Sequence, residues 1–387
     1  MKYIATYRLA TNAFIQGHES LAKPELRTPS IKGVLRFWWR AIALSAFDDD
    51  IKRMRLAERW LLGSTDGQAA ISMRLELLTP ESVEPPGRAI SSGTAYLAGQ
   101  GLFHHNEGST RAAIKEGPRF KLHCRLGARH EKALQKENSK DQRLALELLE
   151  RTLWCIGLFG GVGSRSRRGF GSFAIEDLQG GQLGLTAPKS APELAAAIEL
   201  VLPKSSLTSL PEFSAFSEKA SVTVFKSASS AAHSLETLGV EFALFRSYGR
   251  GGGVMGRASE KNFKDDHDSV KDAIAGKGLT QAPRRVVFGL PHNYFYSSGG
   301  KTDINPQTHK RRASPLFFHI HSFSDGTSAL VMVFLPARFL PDKEEISITG
   351  PRLIVPLPEN LWKPIHDFLN RMKTSQNSGF TFIKEVF

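Results

Sequence analysis

The chain has 387 residues, with 51 Lys and Arg against 38 Asp and Glu, a formal net charge of +13, and 41% apolar residues. That apolar share supports folded cores and excludes a wholly disordered chain, and at roughly 150 residues per domain the length suggests two domains or three. Residues 1–180 hold 27 Lys and Arg against 19 Asp and Glu, and residues 181–387 hold 24 against 19, so no single tail makes the excess and a polyanion is the first partner to consider, nucleic acid ahead of a membrane surface.

Residues 2–15 are β-rich up to Gly17 and predict a first strand. Pro24 and Pro29 punctuate the loop that follows, and Ser30 is placed to cap a helix over 31–46, whose buried stripe is Ile31, Leu35, Trp38, Ile42 and Ala46. Residues 51–62 read as a further helix, and 69–79 and 119–127 alternate as strands. Between those strands, 80–118 is rich in Gly, Pro and Ser and reads as a long loop of functional interest. A helix over 141–156, a glycine-rich loop and a strand over 169–176 complete a β-α-β-β-α-β order. That is the split βαβ, ferredoxin-like arrangement of an α+β fold.

Residues 181–218 read as a connector with one helix near 192–201. A C-terminal domain, 219–387, begins at the strand opened by Ser221-Val222-Thr223-Val224-Phe225. It offers a helix at 234–246, strands near 285–290, 315–322 and 328–335, a helix at 359–373 and a last strand at 379–384, which fits a second, degraded ferredoxin-like unit. Residues 249–314 read mainly as loop. Two cysteines, Cys124 and Cys155, are too few for a disulfide framework or a zinc site of their own. The first eight residues lack an apolar signal core, and the longest purely apolar run, 329–335, is far short of the roughly 20 residues of a membrane helix. The expectation is a soluble cytoplasmic protein.

Lys32, Arg36 and Arg40 share one face of the first helix at four-residue spacing, with no acidic residue between positions 31 and 47. Like charges stacked in this way repel, so the stripe predicts an external anion. Gly33 in the first turn lets a backbone come close to the free N–H groups of a helix start. Phe37, Trp38 and Trp39 run beside the stripe. Periodicity makes one tryptophan core and leaves the other to stack on a base or pack against a neighbouring subunit, with core or interdomain packing as the plainer reading.

The most informative segment is Gly157-Leu158-Phe159-Gly160-Gly161-Val162-Gly163-Ser164-Arg165-Ser166-Arg167-Arg168-Gly169-Phe170-Gly171. Glycine supplies close approach and exposed N–H groups, and arginine supplies forked phosphate contacts, so the loop suits a sugar-phosphate backbone. It is not the dinucleotide G-x-G-x-x-G, because Ser166 stands at the third glycine position. Nor is there a P-loop, because Phe295 stands where the first glycine before Gly300-Lys301-Thr302 belongs.

Gly161-Val162-Gly163, five residues, then Gly169-Phe170-Gly171 resembles the signature loop of the RAMP superfamily of CRISPR-associated proteins. Within that superfamily, Glu25-Leu26-Arg27 with Ser30-Ile31-Lys32-Gly33-Val34-Leu35-Arg36-Phe37-Trp38-Trp39-Arg40 is similar to the first-subunit family of type III-B (Cmr) effector complexes, and Arg311-Arg312-Ala313-Ser314-Pro315-Leu316 is similar to a motif of that family's second domain. The resemblance implies two tandem ferredoxin-like (RRM-related) domains and a non-catalytic RNA-binding subunit. Its implied partners are guide RNA, near its 3′ part, target RNA and other RAMP subunits. The first-helix stripe, the glycine-arginine loop and the motif at 311–316 together give the candidate RNA contacts: Lys32, Gly33, Arg36, Arg40, Gly163, Ser164, Arg165, Ser166, Arg167, Arg168, Arg311, Arg312 and Ser314.

Other clusters carry less. Arg246-Ser247-Tyr248-Gly249-Arg250-Gly251-Gly252-Gly253 is a second Gly/Arg loop, suited to holding RNA or simply mobile. An alternative function is a metal-independent guide-processing endoribonuclease using His18 or the pair His104 and His105, although a loop histidine is more often a polar surface residue. His319 and His321 alternate on one strand face without a carboxylate or thiol cluster to complete a metal site. Asp48-Asp49-Asp50 reads as solvation of a helix end. No cofactor is expected.

Overall fold

The computed structural model describes all residues except 18–22, 136–138, 204–206, 250, 297–299 and 350–351. The N-terminal part places β1 (Lys2–Leu9), α1 (Thr28–Ala46), α2 (Ile51–Leu62), β2 (Ile71–Leu77), α3 (Ser92–Ala98), β3 (Arg119–Leu126), α4 (Ala128–Ala133), α5 (Lys140–Phe159) and β4 (Phe173–Gln179). The four strands form one sheet in the order β2-β3-β1-β4, every neighbouring pair antiparallel. Tyr7, Phe120 and Phe173 cluster on its helix-covered face, and the Tyr7 hydroxyl donates to the Leu153 carbonyl of α5 at 2.7 Å.

After α6 (Ala191–Val201) come β5 (Ser221–Ser227), α7 (Ala231–Arg246), α8 (Lys264–Ile274), β6 (His292–Tyr296), β7 (Gly300–Pro306), β8 (Leu316–Ser322), β9 (Ser328–Phe334), β10 (Ile346–Ile348), β11 (Leu353–Val355), α9 (Lys363–Thr374) and β12 (Thr381–Glu385). A second antiparallel sheet has the order β8-β9-β5-β12, and a small third sheet runs β6-β7-β10-β11. The second sheet is covered on both faces. Val222, Val224, Val331 and Val333 face α5 and α6, while Phe225, Leu330, Met332 and Phe318 face α7 and α9. That double burial is why the 329–335 run is apolar without alternation.

Several expectations are corrected. The first strand stops at Leu9, because Thr11 and Asn12 turn the chain toward the glycine-rich loop: Thr11 Oγ1 donates to Gly169 O at 2.7 Å and Gly171 N donates to Asn12 O at 2.9 Å. The first helix starts at Thr28 with Pro29 in its first turn, so Ser30 lies inside the helix and does not cap it. Residues 285–290 hold a 3₁₀ turn, Arg284–Phe288, between Pro283 and Gly289. Pro283 fixes the entry, and Val286, Val287 and Phe288 are all buried, so no strand-like alternation exists there. The segment 249–314 carries α8 and the β6–β7 hairpin.

Both tryptophans of the first helix are core. Trp38 packs edge-on against Phe159 and tilts against Phe317, which bridges the two parts, and Trp39 donates its indole N–H to Ala145 O. His319 and His321 are buried on β8, His319 sharing a hydrogen bond with Gly160 O at 2.8 Å, and burial holds the His319 imidazole down to about 3. Asp50 caps α2 by accepting from Arg53 N, and Asp48 and Asp49 form the left-handed turn before it. Among the described residues no cluster of His, Cys, Asp and Glu is arranged to hold a metal ion, and no helix is long and apolar enough to cross a membrane.

Candidate nucleic-acid interface

The glycine-rich loop is a hairpin whose two arms hold each other. Val162 N donates to Gly171 O at 2.9 Å, Gly161 pairs with Ser172, and Ser164 N donates to Phe14 O at 2.8 Å. Gly163 has φ +87°, and a Cβ there would stand 2.6 Å from the Phe14 carbonyl oxygen. Gly171 has φ +62°, and a Cβ there would overlap the Val162 carbonyl. Glycine as the last residue of each Gly-x-Gly triplet is therefore what lets the arms close. Residues 164–168 project from this clasp toward the second sheet. Arg168 forms a parallel bridge with Phe318, Phe318 N donating to Arg167 O at 3.1 Å.

The projecting arginines meet arginines of the C-terminal part in one cavity of about 950 Å³. The loop supplies Arg165, Arg167 and Arg168; the segment before β8 supplies Arg311 and Arg312; α7 supplies Arg246 and the long loop supplies Arg111. No Asp or Glu lines this cavity, and none of the seven makes an ion pair among the described residues. Aromatic faces take the place of carboxylates. The Arg167 guanidinium lies 4.3 Å from the Phe317 ring centre, and Arg168 and Arg246 lie 4.7 and 4.8 Å from that of Phe242. Main-chain carbonyls take single hydrogen bonds: Arg167 donates to Ser314 O, Arg168 to Phe288 O and Arg165 to Gln100 O. Burial, and then Arg312, lowers the Arg167 guanidinium to about 10. Burial, and then chiefly Arg246, lowers Arg168 to about 9. The site is a concentrated positive field held without counter-charge.

Arg165 and Arg311 are the exposed members, and Arg311 adds to the burial that lowers Arg165. Arg312 is half-buried over Phe339. Ser314 is buried, and its hydroxyl accepts from Leu316 N, so this side chain closes the turn into β8. A second cavity of about 550 Å³ lies on the other flank of the loop. It is lined by Gly33, Phe37 and Trp38 of α1 and by Gly163, Ser164, Ser166 and Arg167. Gly33 is open, with nothing near its missing side chain.

The charged stripe of α1 does not join either cavity, and the expectation that it lacks counter-charge is corrected. Glu58 of α2, only 3% exposed, pairs with Arg36 at 2.7 Å and takes a two-point contact from Arg40 at 2.7 and 2.8 Å. Arg36 also donates to the carbonyls of Leu62 and Gly63, closing the end of α2. The acid comes from the next helix, 18 residues beyond Arg40, where same-helix spacing cannot reveal it. Lys32 makes no ion pair among the described residues; burial, then Arg36, lowers its amine. Replacing Arg36 by Met leaves Glu58 with one partner and two carbonyls without a donor. The expected loss is about 2 kcal/mol of stability, discounted for partial exposure, read as a lower denaturant midpoint with the salt dependence of RNA binding unchanged.

Arg111 and His292 carry no site signal in the sequence. Arg246 has one, its Gly/Arg loop. Of the histidines, His104 is exposed, 3.8 Å from Glu107, and His105 lines a separate cavity with Tyr96 and Phe103. His18 and Arg250 lie outside the described residues.

Residues 6–174, which hold most of the first sheet and the glycine-arginine hairpin, match the family model of the RAMP superfamily. The particular likeness is to Cmr1. The chain is 27% identical over 335 residues to the CRISPR system Cmr subunit Cmr1-1 of Pyrococcus furiosus, covering 82% of this chain and 83% of that protein. It is 26% identical over 180 residues to Cmr1-2 of the same organism, covering 44% of this chain and 92% of that one. The crystal structure of Cmr1 from Pyrococcus furiosus (apo form) superimposes with a TM-score of 0.54 at 19% identity, over 95% of this chain and 96% of that one, and so shares the fold.

Proposed function

We propose that this chain is the Cmr1-type, RNA-binding subunit of a type III-B CRISPR effector complex and that its arginine-lined cavity holds the phosphates of single-stranded guide or target RNA. The single observation that carries the binding role is the convergence of seven arginines from four segments on one cavity without a carboxylate. Unpaired guanidinium groups supply forked donors at phosphate spacing, and they position a strand without reading its sequence. The assembly role rests on the likeness to the Cmr subunits over most of both chains.

The strand orders β2-β3-β1-β4 and β8-β9-β5-β12, each built from a βαββαβ succession, support reading both parts as ferredoxin-like units, 1–180 and 219–387, joined by 181–218. In this reading the loop residues 163–168 and the residues 311 and 312 contact RNA, Gly33 contacts it on the other flank, other RAMP subunits are neighbours and the work is done without catalysis in the cytoplasm.

The full chain is expected to bind a 20-nucleotide single-stranded RNA with log K falling linearly in log salt, at ~0.7 per phosphate contact, and to keep that RNA when challenged with excess duplex DNA. A salt-independent affinity, or displacement of the RNA by an equal amount of duplex, would remove the binding reading.

A further inference from the structure

The inner end of the arginine-lined cavity holds more unspent donors than a strand crossing its mouth can use. Arg168 Nη1, Arg246 Nε and His292 Nε2 are each shielded from solvent and have no hydrogen-bond partner among the described residues. Buried polar atoms left in this state are rare in folded proteins and call for a ligand. All three side chains line the same cavity. Arg168 and Arg246 lie against the one Phe242 ring, and after burial Arg246 is the first cause that lowers the Arg168 guanidinium. Burial, then Arg285 and Arg246, holds the His292 imidazole well below its ordinary value, so it adds a neutral ring beside two cations. Arg285 behind them is engaged by the Tyr294 hydroxyl and the Arg246 carbonyl, and Asp266 is occupied by Arg284 and by Arg285 N. The two inner guanidinium charges are therefore uncompensated.

Resting on the RNA-binding reading above, we propose that this inner end is a subsite for a phosphomonoester dianion, either the terminal phosphate of a bound RNA or the phosphate of a free mononucleotide. An internal phosphodiester brings one charge and needs room for chain on both sides. A monoester brings close to two charges and three terminal oxygens on a single stem, which matches two forked cations at the closed end of a cavity.

The test uses the full chain and three 12-nucleotide RNAs of one sequence, with a 5′-phosphate, a 3′-phosphate, or hydroxyls at both ends, titrated at one salt concentration. One phosphorylated form is expected to bind at least tenfold tighter than the hydroxyl-ended RNA. In Arg246→Gln that ratio falls to one, and Arg246→Lys, which keeps charge but not the fork, restores it only in part. The ratio is measured on one preparation, so a partly folded variant does not disturb it. In a second arm AMP, but not adenosine, raises the melting temperature if free mononucleotide is the source. A ratio of one in the unaltered chain together with no AMP shift overturns the subsite. Failure of hydroxyl-ended RNA to bind at all overturns the RNA reading instead, and the AMP arm then decides the subsite alone.

Discussion

Replacing Arg165 and Arg311 together by glutamine is expected to weaken single-stranded RNA binding by on the order of a hundredfold at moderate salt, because two charge-assisted contacts at about 1.5 kcal/mol each are lost. The slope of log K against log salt should fall by about 1.4, at ~0.7 for each phosphate contact. This pair is chosen because both side chains are exposed at the mouth of the cavity, one from each half of the chain, and neither carries an ion pair whose loss could unfold the protein. Arg167 and Arg168 are unsuitable: they stack on Phe317 and Phe242, and truncating them removes packing along with charge. Isothermal titration or anisotropy across a salt series reads the result. An unchanged slope with unchanged stability would exclude the cavity mouth from the contact surface.

Gly239→Val should unseat α3. Gly239 of α7 faces Gly93, and a Cβ at Gly239 would overlap the Gly93 carbonyl and stand 2.7 Å from its Cα. Beside this crossing, Glu236 closes the start of α3 by accepting from Gly93 N at 2.8 Å, Thr94 N at 2.6 Å and the Ser91 hydroxyl. Although burial opposes it, these donors hold the Glu236 carboxyl below its ordinary value. The substitution adds three carbons where backbone meets backbone, at a cost of about 3 kcal/mol or more. The cost falls first on the short α3, which has little stability of its own. Tryptic cleavage at Arg88 should accelerate several-fold while the melting transition persists. RNA affinity should drop as well, because Tyr96, Gly99 and Gln100 line the cavity and Gln100 O holds Arg165. Unaltered cleavage would show that the helix pair tolerates the bulk.

What the sequence discloses follows how local the cause is. The alternation of β2 and β3 and the 3.6-residue stripes of α1 and α5 are each set by which side faces the core, so they read directly from spacing. The glycine-arginine hairpin is legible because its glycines and arginines stand together in one short segment, although Thr11, Asn12 and Phe14 help to hold it. The neutralised stripe was not legible, because Glu58 belongs to another helix. Nor was α3 legible, because its anchor, Glu236, lies 142 positions from Thr94. The 3₁₀ turn at Arg284–Phe288 and the α8 segment sit among glycines, prolines and charges that mask their short apolar faces. The convergence of Arg111, Arg165, Arg246 and Arg311 is a product of tertiary folding, which composition announces only as surplus charge.

The bridge from Arg168 to Phe318 has a further consequence for assembly. β8 is a terminal strand of its sheet, and an unpaired margin of this kind invites another chain to add a strand and aggregate. The hairpin of the N-terminal part rests against that margin and takes up its Phe318 amide, so the device that presents cations to a ligand also shields the molecule from self-association.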